Sequence, residues 1–199
     1  MSAAPAIALA IALALAGYLL GAIPFGLLVG RGLAGLDVRT VGSGNIGATN
    51  LARAAGWRLG ALVLALDALK GLLPTLAARL LSLPGWAPYA VGAAAILGHV
   101  YPVYLSFRGG KGVATSLGVF LVLAPLPTLA GAMVFGAVVA VRRVVSVGSM
   151  AGVLAACATS FALDGASPSS LLLAAAALLI LARHRENLAR LLKREERPM

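Results

Sequence analysis

Long apolar stretches separated by short polar or glycine-rich segments dominate this chain. The apolar stretches cover approximately residues 4–30, 58–82, 86–105, 112–124, 126–142, 147–163 and 168–183. A bilayer core of about 30 Å needs about 20 helical residues, and most of these stretches approach that length. The pattern therefore predicts an all-α integral membrane protein with seven transmembrane helices.

The division of residues 112–142 is the one that length alone leaves open. The segment could form one long helix, but Pro125 and Pro127 interrupt it, and proline lacks the N–H that a helix interior needs. Two shorter helices are therefore expected there. Short or broken glycine-rich helices suit the wall of a polar cavity better than a lipid-facing surface, so we expect an active site among them.

Charge favours seven spans with the N-terminus outside. Cytoplasmic loops of membrane proteins carry an excess of Lys and Arg. With this topology the inner segments contain Arg31, Arg39, Arg53, Arg58, Arg108, Lys111, Arg142, Arg143 and the basic tail 183–197. The outer segments near 83–87, 125–127 and 163–168 contain only Asp164. Because no Lys or Arg precedes Arg31, the start of the chain lacks the positive region of a signal peptide, and we expect an uncleaved first span.

Composition agrees with one membrane-integral domain over residues 1–199. Hydrophobic residues make up 61% of the chain and charged residues only 11%. The net charge of +10 does not indicate a nucleic-acid partner, because the basic residues are spread through short loops between apolar stretches. His99 and His184 are isolated from cysteine and from suitably spaced carboxylates, so we expect neither a metal site nor a cofactor.

The sequence SFRGGKGVAT, residues 106–115, predicts an anion-binding loop. Glycines allow backbone N–H groups to approach a ligand closely, and the following helix offers unpaired N–H donors at its start. Lys111 adds a full positive charge, and phosphate is the anion that such a loop suits best. The candidate binding residues are Arg108, Gly109, Gly110, Lys111 and Gly112. The spacing is not that of a P-loop, because Gly112 stands where a hydroxyl residue would follow the lysine.

A second glycine-rich loop, GSGNIGATN at 42–50, offers several small hydrogen-bonding groups. It is able to wrap a polar ligand, and the guanidinium of the following arginine suits a phosphate. The candidate residues are Ser43, Gly44, Asn45, Thr49 and Arg53.

Polar groups also occur in and near the later spans. His184 and Asn187 are three residues apart, and we expect them on one helix face at the inner end of the last span. In SVGSM, Ser149 is the preferred site hydroxyl, with Ser146 as the alternative. The topology places these residues and both loops at the inner membrane face.

Two charges, Asp67 and Lys70, lie inside the second span, three residues apart. Unpaired charges destabilise a membrane helix, so we expect Asp67 and Lys70 to face inward and to pair with each other or with a neighbour.

Three segments together resemble the motifs of the bacterial acyl-phosphate:glycerol-3-phosphate acyltransferase family. They are GSGNIGATN, GHVYPVYLSFRGGKGVAT from Gly98, and RHRENLARLL from Arg183. The resemblance covers essentially the whole chain. It implies an inner-membrane enzyme of phospholipid biosynthesis that transfers a fatty acyl group from acyl phosphate to the 1-position of glycerol 3-phosphate, with lysophosphatidic acid and phosphate as products.

The resemblance also implies the roles of individual residues. Ser43, Lys111, His184 and Asn187 would be catalytic, and Arg53, Ser149 and the loop residues would bind substrate. His99 would help to shape the site. Two positions depart from the family pattern: Arg108 stands where Lys is frequent, and Arg194 stands where the third motif usually has Gly.

The residues favour positioning and electrostatics over a strong base as the source of catalysis. No HxxxxD pattern is present, and acyl phosphate already has a good leaving group. Lys111 and Arg53 would hold the two phosphates, and Ser43 would be a donor rather than a covalent nucleophile. The hydroxyl proton would pass to the leaving phosphate or to His184.

Two other classes of protein use similar residues. A small anion transporter also combines broken helices with basic loops, but no inverted repeat relates the halves of this chain. A non-enzymatic lipid-binding protein would explain the basic tail but not the GSGNIGATN loop. The enzyme is therefore the preferred interpretation.

Overall fold

All regular structure in the described part of the chain is helical. This computed structural model describes residues 3–81 and 83–196. Its helices are α1 (Ala3–Gly21), α2 (Phe25–Ala34), α3 (Ala48–Ala55), α4 (Trp57–Leu80), α5 (Ala87–Val100), α6 (Val113–Leu123), α7 (Pro125–Arg142), α8 (Val145–Asp164), α9 (Pro168–Arg183) and α10 (Arg185–Leu192). One turn of 3-10 helix covers Val103–Leu105. The all-α prediction is confirmed.

The described residues contain more helices than the seven predicted transmembrane spans. Each predicted apolar segment contains a helix, but the first contains two, α1 and α2, which are separated by residues 22–24. The helices α3 and α10 lie in polar segments that the hydropathy pattern does not mark. By length and composition, four helical stretches of the described chain are able to cross a membrane: Ala3–Ala34, Trp57–Leu80, Pro125–Arg142 and Val145–Asp164.

Proline sets the boundary that the sequence left open. Helix α6 ends at Leu123 and α7 begins at Pro125, so the predicted division of residues 112–142 into two helices is confirmed. At the first position of a helix, the missing proline N–H costs nothing because that group would have no helical partner.

The chain forms two compact units, Met1–Val122 and Leu123–Met199. In the first unit, α1 packs along α5 and α4, and α4 also contacts α2, α3 and α5. Glycine lets two of these helices approach closely: a Cβ on Gly21 would lie 2.2 Å from the carbonyl oxygen of Ala95, and one on Gly98 would lie 2.2 Å from that of Tyr18. Such close contacts are typical of packed membrane helices.

The second unit is built on the pairing of α7 with α8. Helix α8 also packs on α9, and α10 contacts α9. Gly131 and Gly152 face each other across the α7–α8 contact, where a Cβ on either glycine would meet the other's carbonyl oxygen at 2.8 Å or less. The prediction of a single domain over residues 1–199 stays a prediction.

Candidate active site

The RGGKG loop, residues 108–112, folds back on the end of α5. The N–H of Gly109 donates to the carbonyl of Val100 at 3.2 Å, and the N–H of Gly110 donates to that of His99 at 3.1 Å. A Cβ on Gly110 would lie 2.1 Å from His99 Nε2. Glycine is needed at this position because the loop backbone lies directly against the His99 ring.

The loop then enters a helix N-terminus. Gly112 has φ of 88°, a left-handed conformation that favours glycine, and its carbonyl accepts from Ser116 N at 2.8 Å in the first turn of α6. The first turn of α6 has no acidic residue. Unpaired N–H groups and the helix dipole favour an anion at such an end, and Lys111, half-buried beside it, strengthens the preference.

Asn50 organises the GSGNIGATN loop. Its side-chain nitrogen lies 2.8 Å from the carbonyl oxygen of Val38, 3.1 Å from that of Val41 and 3.0 Å from that of Asn45. Its Oδ1 accepts the N–H of Ser43 at 3.0 Å. Asn50 is buried, and these bonds fix the backbone that presents the exposed Ser43.

An ion-pair group precedes this loop. The carboxylate of Asp37 accepts from Arg39 and Arg31, each with an N–O distance of 2.7 Å. Hydrogen bonds from Arg39, and then from Arg31, hold the pKa of Asp37 well below its usual value, and the same bond to Asp37 raises the pKa of Arg39. Both arginines therefore have an anionic partner within the protein.

In the second unit, Glu196 joins residues from two helices. Its Oε1 accepts from Ser146 Oγ at 2.8 Å and from Asn187 Nδ2 at 2.6 Å, and its Oε2 accepts from Arg190 Nε at 2.7 Å. Burial raises the pKa of Glu196, but the hydrogen bonds from Asn187, Arg190 and Ser146 outweigh that effect and lower it. The tail is thereby fixed to α8 and α10.

His184 lies at the junction of α9 and α10 rather than within one helix. Helix α9 ends at Arg183, so the two residues do not continue the last span; His184 is the N-cap of α10, and Asn187 is the third residue of that helix. The expectation that they share one helix face stays a prediction. Both side chains are buried. His184 Nδ1 lies 2.8 Å from the carbonyl oxygen of Ile180. Since a carbonyl only accepts, Nδ1 bears the hydrogen, and Nε2 is the basic nitrogen of the neutral ring.

The contacts of Ser146 and Ser149 differ. Ser146 donates to Glu196, whereas Ser149 Oγ donates to the carbonyl of Val145 in its own helix at 2.9 Å. Both are buried. Ser146 is thus joined to Asn187 through a shared carboxylate, while the oxygen of Ser149 retains the capacity to accept a hydrogen bond.

The other predicted site residues lie in the two loops or beside them. Gly44 and Arg108 are exposed, Arg53 is exposed on α3, and Thr49 is half-buried in the first turn of α3. Asn45 is half-buried, and its Oδ1 accepts from Gly47 N at 2.9 Å. The predicted pairing of Asp67 with Lys70 is confirmed by an N–O distance of 2.7 Å.

Sequence reasoning missed the roles of Asn50 and Glu196. Asn50 closes the GSGNIGATN motif and opens a helix, a position that favours side-chain to backbone bonding. Glu196 is one of few acids in a basic tail. Neither signal specifies a partner, because the partners of Glu196 include a serine 50 residues away in the sequence.

These features define a class: an α-helical protein with membrane-length apolar helices and a glycine-rich cationic loop that leads into a helix N-terminus. Comparison with known proteins makes the assignment specific. Residues 11–194 match the family Glycerol-3-phosphate acyltransferase. The chain belongs to the glycerol-3-phosphate acyltransferase family, so the family expected from its three motifs is confirmed.

Similar proteins extend over almost the full length of the chain. The glycerol-3-phosphate acyltransferase of Myxococcus xanthus (strain DK1622) is 56% identical over 191 residues, covering 94% of this chain and 97% of that protein. The one from Anaeromyxobacter sp. (strain Fw109-5) is 52% identical over 198 residues, covering 96% and 97%.

Solved structures agree with this assignment. A crystal structure of PlsY, an integral membrane glycerol 3-phosphate acyltransferase, in its glycerol 3-phosphate form is similar with a TM-score of 0.90 and 40% identity, covering 96% of this chain and 95% of that one. The lysophosphatidic acid form of PlsY gives a TM-score of 0.87 and 39% identity, with the same coverage. The present chain is accordingly a multi-pass membrane enzyme, an acyltransferase.

Proposed function

We propose that this protein transfers a fatty acyl group from acyl phosphate to the 1-hydroxyl of glycerol 3-phosphate. The products are lysophosphatidic acid and inorganic phosphate, an early step of phospholipid biosynthesis. The observation that best supports this proposal is the RGGKG loop, where Lys111 stands just before α6 and follows two glycines whose N–H groups bond to the carbonyls of Val100 and His99. Both substrates contain a phosphate group for such a loop. The glycerol 3-phosphate and lysophosphatidic acid forms of PlsY support the same acceptor and product.

The partners of the carboxylates favour an acyl donor whose reaction needs no strong base. Asp37 is bound by two arginines, Asp67 by Lys70, and Glu196 by three donors. Glu186 and Glu195 are exposed. A carboxylate held by cations or donors is a weak proton acceptor. In acyl phosphate the leaving group is already good, so the reaction proceeds without such a base.

In the proposed reaction, the glycerol hydroxyl oxygen attacks the acyl carbonyl carbon. The bond from that carbon to the phosphate oxygen breaks, and the hydroxyl proton passes either to the departing phosphate or to Nε2 of His184. Lys111 and Arg53 hold phosphate charge, while Ser43 donates a hydrogen bond. We assign Asn187 a catalytic hydrogen-bonding role and Ser149 a substrate-binding role. Positioning and electrostatic stabilisation supply most of the rate in this scheme.

We also propose a location in the bacterial inner membrane. The N-terminus is outside, while the C-terminus, Lys111 and the active-site chemistry are on the cytoplasmic side. The support is the distribution of Lys and Arg among the short segments between apolar helices. Acyl phosphate would reach the site from the cytoplasm or the lipid.

The decisive experiment measures phosphate release by the purified protein in lipid, with palmitoyl phosphate and glycerol 3-phosphate. Release should require both substrates, and Lys111→Ala should lose about 100-fold or more, as expected when a charge-stabilising donor is removed. Lys193→Ala, which removes an exposed lysine of the tail, is the matched control and should retain activity.

Other outcomes point elsewhere. Product formation from acyl-CoA but not from acyl phosphate would show that acyl phosphate is not the acyl donor. Inactivity with both donors, together with uptake of labelled phosphate into sealed vesicles, would favour an anion transporter.

A further inference from the structure

Three buried polar side chains in the first unit take no part in the bond changes of the proposed reaction. Asp67, Lys70 and His99 are 3%, 6% and 5% exposed. Lys70 Nζ lies 2.7 Å from Asp67 Oδ1, and His99 Nδ1 lies 3.7 Å from the same oxygen. The second distance is too long for a hydrogen bond, and the contact is an ion pair when the His99 ring is protonated. A buried ion pair is seldom retained for stability alone, because apolar residues of similar volume stabilise a core as well.

Lys70 also makes a contact outside the ion pair. Its ammonium donates to the carbonyl of Ile23 at 2.8 Å, in the break between α1 and α2. The same carbonyl also accepts the N–H of Phe25, the first residue of α2, at 3.1 Å, while the N–H of Leu27 bonds to Pro24. The ammonium also lies 5.6 Å from the centroid of the Phe25 ring, a cation–π distance. Lys70 thus fixes the position where α2 begins.

The start of α2 lies against the GSGNIGATN loop. A Cβ on Gly26 would come within 1.7 Å of the carbonyl oxygen of Ile46, so the two backbones are in direct contact. The buried side chains of Leu27 and Ile46 belong to the same apolar cluster. A shift of the α2 start would therefore displace the loop that contains Ser43.

His99 makes the corresponding contact with the other loop. Its carbonyl accepts the N–H of Gly110, and its ring lies against the position where a Gly110 side chain would be. Gly110 precedes Lys111 directly. The orientation of the His99 ring therefore decides where the backbone before Lys111 lies.

We propose that Asp67, Lys70 and His99 form a positioning network that sets the GSGNIGATN loop and the RGGKG loop in the arrangement that binds glycerol 3-phosphate. Asp67 is its centre: it orients Lys70 toward the α2 start and His99 toward Gly110. The substrate named here rests on the proposed function. None of the three side chains is assigned a contact with the substrate, so they are positioning residues and not catalytic ones.

The test separates positioning from stability by removing both charges together. Asp67→Asn with Lys70→Met leaves no uncompensated charge in the interior, so this double variant should keep a melting temperature close to that of the wild type in detergent. Its affinity for glycerol 3-phosphate, measured directly by calorimetry, should fall about tenfold. The matched control is Thr75→Val, a buried change on the same helix, which removes a hydroxyl bonded only to Gly71 in α4 and should leave affinity unchanged.

A second variant tests the contact of His99 with Asp67 and the RGGKG loop. His99→Phe keeps a ring beside Gly110 but removes the contact with Asp67, and it should weaken glycerol 3-phosphate binding by a similar factor. Wild-type affinity in a folded double variant, or in His99→Phe, would overturn the network. Calorimetry needs no acyl donor, so a wild type that binds glycerol 3-phosphate but releases no phosphate from acyl phosphate would contradict the proposed donor and not the network.

Discussion

At the scale of single residues, the lack of a side chain at two glycines determines how the two loops pack. Gly110 lies so close to His99 that any Cβ would overlap the ring, and Gly42 would place a Cβ 2.3 Å from Asn50 Oδ1. Both close contacts involve buried side chains that cannot move aside easily. The two loops are therefore shaped by glycines that fit against one buried polar residue each.

Gly110→Ala should displace the RGGKG loop and strongly reduce activity. Displacements of about 1 Å at a reacting centre are able to cost about 100-fold in rate, and we expect a loss of that order in kcat/KM for glycerol 3-phosphate. Gly136→Ala is the control, because a Cβ there meets nothing within 4 Å. Equal activity of the two variants would show that the His99 contact does not position the loop.

Asn50→Ala should loosen the GSGNIGATN loop. The change removes the donor to the buried carbonyl of Val38 and to the part-buried carbonyls of Val41 and Asn45, and an unsatisfied buried carbonyl costs about 1–3 kcal/mol. We expect a lower melting temperature and a higher KM for glycerol 3-phosphate. Thr40→Ala, which removes an exposed hydroxyl bonded to the Asp37 carbonyl in the same segment, should change both far less.

At the scale of elements, the breaks between helices position polar groups. Residues 22–24 interrupt the first apolar stretch, and the carbonyl of Ile23 is thereby available to Lys70. The junction of α9 and α10 places His184 between the two helices and Asn187 in α10, with both side chains buried. Irregular backbone inside a membrane protein is tolerated where the protein itself satisfies its polar groups, and both breaks meet that condition.

The tail provides a pH test at this scale. The pKa of Glu196 is lower in the folded protein than the value of about 4.3 expected for an unfolded chain. The ionised carboxylate therefore stabilises the fold above that pH, and the stabilisation is lost as the pH falls through the folded pKa. Wild type should lose thermal stability as the pH falls below about 4.3, whereas Glu196→Gln should be less stable at neutral pH and should change less.

Glu195→Gln is the control for the tail experiment, since Glu195 is exposed beside Glu196. Its stability should follow that of the wild type across the whole pH range. If Glu196→Gln also followed the wild type, the bonds to Ser146, Asn187 and Arg190 would contribute nothing to the stability of the tail.

At the scale of the whole molecule, the distribution of charge should determine how the chain crosses the membrane. The basic residues are concentrated in the predicted inner segments, and the predicted outer segments are nearly uncharged. The proposed orientation follows from this asymmetry and not from the fold, since a helical bundle has no preferred direction in the bilayer without such charges.

Cysteine labelling tests the orientation. The background variant Cys157→Ala removes the native thiol. In this background, Gly85→Cys should react with a membrane-impermeant maleimide in cells whose outer membrane is permeabilised and whose inner membrane is intact. Lys193→Cys should react only after the inner membrane is made permeable. Both positions are exposed, so access and not burial decides the result. The reverse pattern would place the N-terminus in the cytoplasm.

The sequence by itself determined the all-α membrane character, the helix boundary at Pro125, the Asp67–Lys70 pair and the family. These depend on residues that are adjacent or a turn apart, or on short motifs, and such local patterns are visible in one dimension. The sequence did not predict the break at residues 22–24, because an apolar pattern continues through it.

Only the tertiary structure decided which polar groups meet. Lys70 reaches a carbonyl 47 residues away, Ser146 reaches a carboxylate 50 residues away, and Asp67 faces His99 from another helix. The Gly110 contact with the His99 ring likewise depends on how the loop folds back on α5. The physical reason is that a buried polar group must find a partner wherever packing brings one, and packing depends on the whole helix arrangement rather than on sequence spacing.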